Sequence, residues 1–223
     1  MRNNFDLQLN KLNRDLIGMG ALCESAIDGA IKALISHTAK LANDVISTEE
    51  VINEREREIQ SLCLKLLLEQ QPVARDLRTI SAALKMITDM ERIGDQAADI
   101  AEIILTSSFE NNQNSTHIVK MAKAASRMVT QSVDAFVKRD LELARSVMGM
   151  DDEVDELFDV LKNELFKLIR ESVDNAEDAI DLLMIAKYLE RIGDHAVNIA
   201  EWVEFAVCGS HRKFSSDNTE KID

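Results

Sequence analysis

The sequence predicts an all-α protein built from two tandem, pseudo-symmetric three-helix bundles. Only one of its 223 residues is proline and seven are glycine, so few positions favour turns. Apolar residues recur at helical spacing along most of the chain, which indicates amphipathic helices. The segment 90–102 returns as 189–201 with the same Glu-Arg-Ile-Gly-Asp core. Two copies of one helical unit are therefore expected.

Composition narrows the class of protein. A content of 46% hydrophobic and 30% charged residues is typical of a soluble globular protein. The net charge of −14 repels nucleic acid and anionic lipid. No window reaches the length of apolar sequence that membrane insertion needs, and the N-terminus does not resemble an export signal. Cys23, Cys63 and Cys208 are expected to be small core residues in a reducing compartment, so the prediction is a cytoplasmic protein.

The first unit is predicted to span residues 1–108. Its first helix carries apolar residues from Phe5 to Leu34. The second is expected from about Ser47 to Glu69, with Ser47 or Thr48 as the N-cap, and Pro72 follows its end. The third begins near Ala74. The polar run 107–116 then closes the unit.

The second unit is predicted to span residues 115–208 and to repeat the same order. Its helices are expected at about 118–137, 141–171 and 176–208. The first two match their counterparts at an offset of 102 residues and the third at 99. The difference of three residues falls in the loop before the third helix, where a deletion is tolerated. The tail 209–223 is polar and is expected to fray.

An acidic row on each third helix is the main candidate for function. The first unit carries Glu91, Asp95 and Asp99, and the second carries Glu190, Asp194 and Asn198. These positions lie roughly 160° to 240° from the apolar seam, so the rows are expected to face outward. Like charges at i, i+4 are unfavourable, and no basic residue is expected in the same row. A bound cation would remove this conflict, whereas a solvated polar face is the alternative.

The second helix of each unit supplies facing oxygen donors. Asp151 and Asp155 lie there in the second unit, and Glu49 and Asn53 are their counterparts in the first. Carboxylates one turn apart can share a metal ion that a facing helix helps to coordinate. Asn53 and Asn198 donate neutral oxygens, so weaker binding is expected at both sites.

Other residues beside the rows allow two interpretations each. Gly94 and Gly193 each cost about 1 kcal/mol relative to alanine inside a helix, which favours a close helix crossing over a role in metal access. Arg92 and Arg191 either pair with the carboxylates or bind an anion. His195 is either a surface histidine or an additional metal ligand.

Three segments together resemble those of a known family. They are Gln-Pro-Val-Ala-Arg-Asp-Leu-Arg at 71–78 and the two Glu-Arg-Ile-Gly-Asp segments. Over nearly its whole length the chain resembles the PhoU family of phosphate transport system accessory (regulatory) proteins. The resemblance implies two three-helix bundles, a homodimer and a cytoplasmic location. It also implies a negative regulator of phosphate uptake and of the phosphate-starvation response. The implied partners are the ATPase subunit of the phosphate ABC transporter and a phosphate-sensing histidine kinase.

The resemblance also implies a cofactor. Some family members carry multinuclear iron or zinc clusters on the bundle surface, bound by motifs in which an acidic residue precedes Asp by four positions. Here those motifs fall on Glu91, Asp95 and Asp99, on Glu190 and Asp194, on Asp151 and Asp155, and with a departure on Glu49 and Asn53. Other divalent cations remain open.

Two further classes of function are considered. The first is a purely structural helical adaptor without metal, whose acidic rows are only solvated. The second is a ferritin-like, carboxylate-bridged metal oxidase, which needs Glu-x-x-His pairs in a bundle core. None of the four histidines has Glu three residues before it, so the sequence favours a protein that is not an enzyme.

Overall fold

The computed structural model describes residues 2–70, 72–107, 115–173 and 176–209, and the regular structure in these ranges is α-helical without strands. The helices are α1 (Arg2–Ser36), α2 (Ala39–Gln70), α3 (Ala74–Thr106), α4 (Ser115–Lys138), α5 (Leu141–Gly149), α6 (Asp151–Glu171) and α7 (Ala176–Cys208). The predicted fold class is therefore confirmed.

The helices pack as two groups joined along a long seam. Helices α1, α2 and α3 bury their apolar faces against each other, and α4 to α7 do the same in the second unit. Between the units, α3 packs against α7 and α1 packs against α4. The exact unit boundaries stay a prediction, because residues 108–114 lie outside the described ranges.

Helices α3 and α7 run antiparallel. Ser107, just after α3, donates a hydrogen bond to Asp181 near the start of α7 at 2.5 Å. In the middle of both helices, Asp89 and His195 lie 2.9 Å apart. The tip between α2 and α3 and the tip between α6 and α7 therefore point to opposite ends of the molecule.

Both units use the same left-handed turn after their first helix. His37 has φ 48° and Arg139 has φ 54°, and the two positions are 102 residues apart. The next amide donates back to the preceding helix in each case, from Thr38 to Ala33 at 3.4 Å and from Asp140 to Ala135 at 2.9 Å. This closure satisfies helix carbonyls that would otherwise lack partners.

The predicted start of the second helix in the first unit is wrong. Helix α2 begins at Ala39, eight residues before the expected cap at Ser47. The Ser47 hydroxyl donates to the carbonyl of Asn43 at 3.1 Å, and that of Thr48 donates to Asp44 at 2.8 Å. These hydroxyls bond back to the preceding helical turn instead of capping a new helix, which their chemistry allows equally well.

The second unit divides what the sequence predicts as one helix over 141–171. Helix α5 ends at Gly149, which has low helix propensity, and α6 begins at Asp151. Asp140 caps α5 by accepting from the amide of Leu143 at 3.0 Å. The starts of the two third helices, Ala74 and Ala176, are confirmed.

The predicted burial of the cysteines holds only in part. Cys23 and Cys63 are buried, whereas Cys208 is exposed at the end of α7, so its placement in the core is wrong. The described helices include none with the length and apolar content needed to cross a membrane. The tail beyond Gly209, whose fraying was expected, lies outside the described residues.

Candidate functional site

Four side chains form the first acidic cluster, between α2 and α3. They are Glu49, Asn53, Glu91 and Asp95, and all are partly buried. The helices meet closely here, because a Cβ atom added to Gly94 would lie 3.0 Å from Ile52 Cδ1. This supports the interpretation of Gly94 as a close helix crossing. The row is therefore half-buried at the edge of α2, in contrast to the fully outward face expected from helical angles.

Charge in the first acidic cluster is partly balanced. Burial, followed by the nearby charge of Asp95, raises the pKa of Glu91. Arg92 donates to Asp95 at 2.8 Å and lies 3.4 Å from Glu91. No basic residue stands in the row itself, but the long Arg92 side chain beside it reaches both carboxylates. Its interpretation as a salt-bridge partner is supported.

The α2 side of the cluster contains an unsatisfied oxygen. The Asn53 amide donates to Glu49 Oε1, while Asn53 Oδ1 is buried without a hydrogen-bond partner. Burial is the main cause of the raised pKa of Glu49, and the charge of Asp95 adds to it. A buried acceptor without a donor is unfavourable, and a cation beside Asn53 and Glu49 would satisfy it.

Four carboxylates form the second acidic cluster, between α6 and α7. They are Asp151, Asp155, Glu190 and Asp194. A Cβ atom added to Gly193 would lie 3.4 Å from Asp151 Oδ1, so the missing side chain lets this carboxylate lie against α7. The contact is less tight than the one at Gly94.

Crowded negative charge dominates the second acidic cluster. Burial, followed by the charges of Asp155 and Asp194, raises the pKa of Asp151 to about 6. The pKa values of Asp155 and Asp194 are also raised, first by burial and then by Glu190. Lys187 forms an ion pair with Glu190. Lys187 was absent from the candidates because it lies outside the acidic motif, although it precedes Glu190 by one helical turn.

The last position of each row has partners outside the two clusters. Asp99 lies toward Glu102, Asp95 and Arg191 of α7; burial and then Glu102 raise its pKa, which Arg191 opposes. Asn198 instead donates to Asp89 across the α3–α7 seam at 3.2 Å. Metal ligation by Asp99 and Asn198 stays a prediction.

His195 also takes part in the α3–α7 seam. Its Nδ1 lies 2.9 Å from Asp89 Oδ1, and the ring also lies close enough to Asp194 to oppose the rise in that carboxyl's pKa. The Asp89 contact supports a packing role for His195, and ligation of a metal in the second acidic cluster stays a prediction.

The donor set fits hard cations better than soft ones. The first cluster offers carboxylate and amide oxygens and the second offers carboxylate oxygens alone, with no thiolate among the named residues. Oxygen ligands suit Mg²⁺, Ca²⁺ and Mn²⁺. Within the four described ranges, no group of three or more His, Cys, Asp or Glu side chains is already arranged to hold a metal ion. Binding would therefore require rotation of these carboxylates. The orphaned Asn53 Oδ1 and the crowded Asp151 are the features that a cation would relieve.

Comparisons with known proteins cover both units. The family model described as PhoU domain matches residues 16–104 and 118–203. The chain is 34% identical to the phosphate-specific transport system accessory protein PhoU homolog of Clostridium acetobutylicum, over 93% of this chain and 96% of that relative. A homolog of the same description from Pseudomonas aeruginosa is also 34% identical, over 92% of this chain and 86% of that protein.

Two solved structures share the fold. The crystal structure of PhoU from Pseudomonas aeruginosa matches with a TM-score of 0.87 and 34% identity, covering 92% of this chain and 100% of that one. The phosphate transport system regulatory protein PhoU from Streptococcus pneumoniae matches with a TM-score of 0.85 and 27% identity, covering 93% and 98%. The likeness extends through both helical units.

Proposed function

This chain belongs to the PhoU family, and we propose from that premise that it is a negative regulator of phosphate uptake and of the phosphate-starvation response. The observation that carries the proposal is the double PhoU domain match, which falls on both units. Similarity to proteins named as accessory to phosphate-specific transport, over more than nine tenths of the chain, supports it further. The role is regulatory, not enzymatic.

We infer that the chain acts in the cytoplasm as an adaptor, as a homodimer. Its partners are the ATPase subunit of the phosphate ABC transporter and the phosphate-sensing histidine kinase. Two units of one fold support such a role, because they offer equivalent faces with different charge. The first acidic cluster includes a neutral amide, whereas the second consists of carboxylates alone.

The acidic clusters bind divalent cations in this proposal. Glu49, Asn53, Glu91 and Asp95 would hold one group of ions, and Asp151, Asp155, Glu190 and Asp194 would hold another. The ions would neutralise crowded carboxylates and link α2 to α3 and α6 to α7. Iron, which some family members carry, also accepts oxygen ligands.

A metal-free adaptor is the second candidate. The Arg92–Asp95 and Lys187–Glu190 ion pairs favour it, because they already offset part of the negative charge. The two candidates agree on regulation and differ in whether the clusters need a cation.

Deletion of the gene tests the regulatory role. The deletion strain should express phosphate-starvation genes in high phosphate, because the repressing adaptor is lost, and a reporter fusion measures this. Expression that stays low would contradict the proposal. Complementation with the parent should restore repression, and so should Asp134→Asn, a control in an exposed ion pair on α4.

The double variant Asp155→Asn/Asp194→Asn separates the two candidates. If the regulator needs a cation in the second acidic cluster, this variant should fail to restore repression at equal protein level. Full repression by the variant would favour the metal-free adaptor and leave the regulatory role intact.

A further inference from the structure

A cleft of about 360 Å³ lies at the end of the molecule where α1, the start of α3 and the turn after α4 meet. Arg75 and Thr79 reach it from α3, Arg139 from the turn, and Asn10 and Asn13 from α1. The cleft lies away from both acidic clusters, at the opposite end of α3 from Asp99. It is not part of the site described above.

The arginines at this cleft form no ion pair within the described ranges, although Asp6 and Asp76 also line it. Arg139 donates to Thr79 Oγ1 at 3.0 Å and to the carbonyl of Ala206 at 3.2 Å, both neutral acceptors. Among the ion pairs formed within the described part of the chain, none involves Arg75, Arg78 or Arg139. Burial, followed by the like charges of Arg75 and Arg78, lowers the pKa of Arg139.

Arg78 adds an unsatisfied donor beside this group. Its Nε is buried and has no hydrogen-bond partner. The backbone of Gly209 lies against the same guanidinium, since a Cβ atom added there would be 3.6 Å from Arg78 Nε. A buried donor without an acceptor is unfavourable. Arg78 does not line the cleft, but its charge acts on Arg139, so three guanidinium groups lie near each other at this end of the molecule.

The duplication supplies an internal control for this arrangement. At the offset of 99 residues, Arg75 and Arg78 correspond to Asp174 and Glu177, and at 102 Arg139 corresponds to His37. Asp174 lies outside the described residues, whereas Glu177 lies in the first turn of α7, so the duplicated fold is compatible with an acidic residue there. Three arginines in one place, in a chain of net charge −14, are not explained by the fold alone.

We propose that this cleft binds a phosphate-type oxyanion, either free phosphate or the phosphoryl end of a small molecule, through Arg75 and Arg139 with Arg78 behind them. Guanidinium groups match such oxygens with paired N–H donors. The start of α3 contributes further donors, because its N-cap residue Val73 provides no side-chain hydrogen bond and helix N-termini favour anions.

Two acidic residues set the size of the ligand. Asp6 and Asp76 line the same cleft. Arg75 and Arg78 lower the pKa of Arg139, and the negative charge of Asp76 partly opposes that change. The two acidic charges offset those of Arg75 and Arg139 in the lining, so the net positive charge comes from Arg78 beside the cleft, and an extended polyanion is disfavoured. The inference goes beyond the proposed regulatory role, because it concerns binding by the isolated chain.

Calorimetric titration of the full chain tests this site. The protein is first treated with chelator, so that phosphate cannot bind through a metal in the acidic clusters. Inorganic phosphate and adenosine monophosphate are then added separately at constant ionic strength. Saturable binding of at least one is expected, and the preferred ligand distinguishes free phosphate from a phosphorylated molecule.

Matched variants locate the binding. Arg75→Gln and Arg139→Gln should each weaken it by at least about tenfold, whereas Arg57→Gln, the same charge change on the exposed face of α2, should not. Arg75 is exposed and forms no ion pair in the described ranges, so its variant remains informative if Arg139→Gln unfolds. No saturable binding at millimolar ligand, or unchanged binding in Arg75→Gln, would overturn the proposal and leave the deletion phenotype unaffected.

Discussion

The two acidic clusters occupy the same place in the two units but balance their charge differently. In the first, Asn53 replaces a carboxylate and Arg92 pairs with Asp95 at 2.8 Å. In the second, four carboxylates meet, and Lys187 pairs with Glu190. Only the second contains a carboxyl whose pKa is raised to about 6, that of Asp151. The second acidic cluster is therefore the less compensated of the two.

This difference shows what duplication preserves. Gly94 and Gly193 keep the helices close at equivalent positions, so the location of each cluster follows from the fold. The charge that surrounds it depends on individual side chains and has diverged. We expect the second acidic cluster to bind cations more tightly, because a cation relieves more repulsion there.

Replacement of Asp151 should produce the largest change in the stability of chelated protein. The folded pKa of Asp151 lies above its ordinary value, so ionisation disfavours the folded state. This penalty is absent below about pH 4, where the carboxyl is protonated in both states, and is complete above about pH 6. Screening by solvent reduces it to about 1 to 2 kcal/mol.

Asp151→Asn should therefore raise the free energy of unfolding at pH 7 by that amount and have little effect near pH 4. Urea denaturation at the two pH values measures the difference. Asp95→Asn makes the same carboxylate-to-amide change in the first acidic cluster and should stabilise much less, because it also removes the Arg92 ion pair. Equal stabilisation by Asp151→Asn and Asp95→Asn would contradict the proposed difference in charge compensation between the two clusters.

The two glycines should respond in opposite directions to alanine. A methyl group at position 94 would lie 3.0 Å from Ile52 Cδ1 and 3.2 Å from its Cγ2, so overpacking outweighs the gain in helix propensity. Gly94→Ala should lower the free energy of unfolding by about 1 kcal/mol. Gly193→Ala meets only ordinary contacts and should raise it by about 0.5 kcal/mol. Stabilisation by both substitutions would show that Ile52 adjusts freely.

Helix type and order follow from the sequence because the apolar period and the loop at Pro72 are local signals. The starts of α3 and α7 agree with prediction for this reason. The start of α2 does not, because Ser47 and Thr48 can cap a helix or bond back within one, and local sequence does not distinguish these uses.

From the sequence, the candidate site can be predicted only as groups of acidic residues that share a helix face, without their contacts. The helical period places the acidic positions at 91, 95, 190 and 194 on one face of each third helix but predicts that this face points outward. Helix packing instead brings these positions close to acidic residues of the second helix in each unit. The orientation of Asn198 toward Asp89 depends on the packing of α3 against α7, which joins residues distant in the chain. The ion pair between Arg92 and Asp95 depends on the side-chain conformation of Arg92. The position of Arg92 on the helix does not specify that conformation.

Titration of the chelated full chain with Mn²⁺, followed by calorimetry, tests the central claim that the acidic clusters are cation sites of unequal strength. We predict two classes of saturable binding, with the tighter class lost in Asp155→Asn/Asp194→Asn and the weaker class lost in Asp95→Asn. Bound Mn²⁺ should also raise the melting temperature of the parent. An absence of saturable binding, or tight binding that persists when Asp95 and Asp194 are both replaced, would contradict the claim and leave the rows as solvated faces.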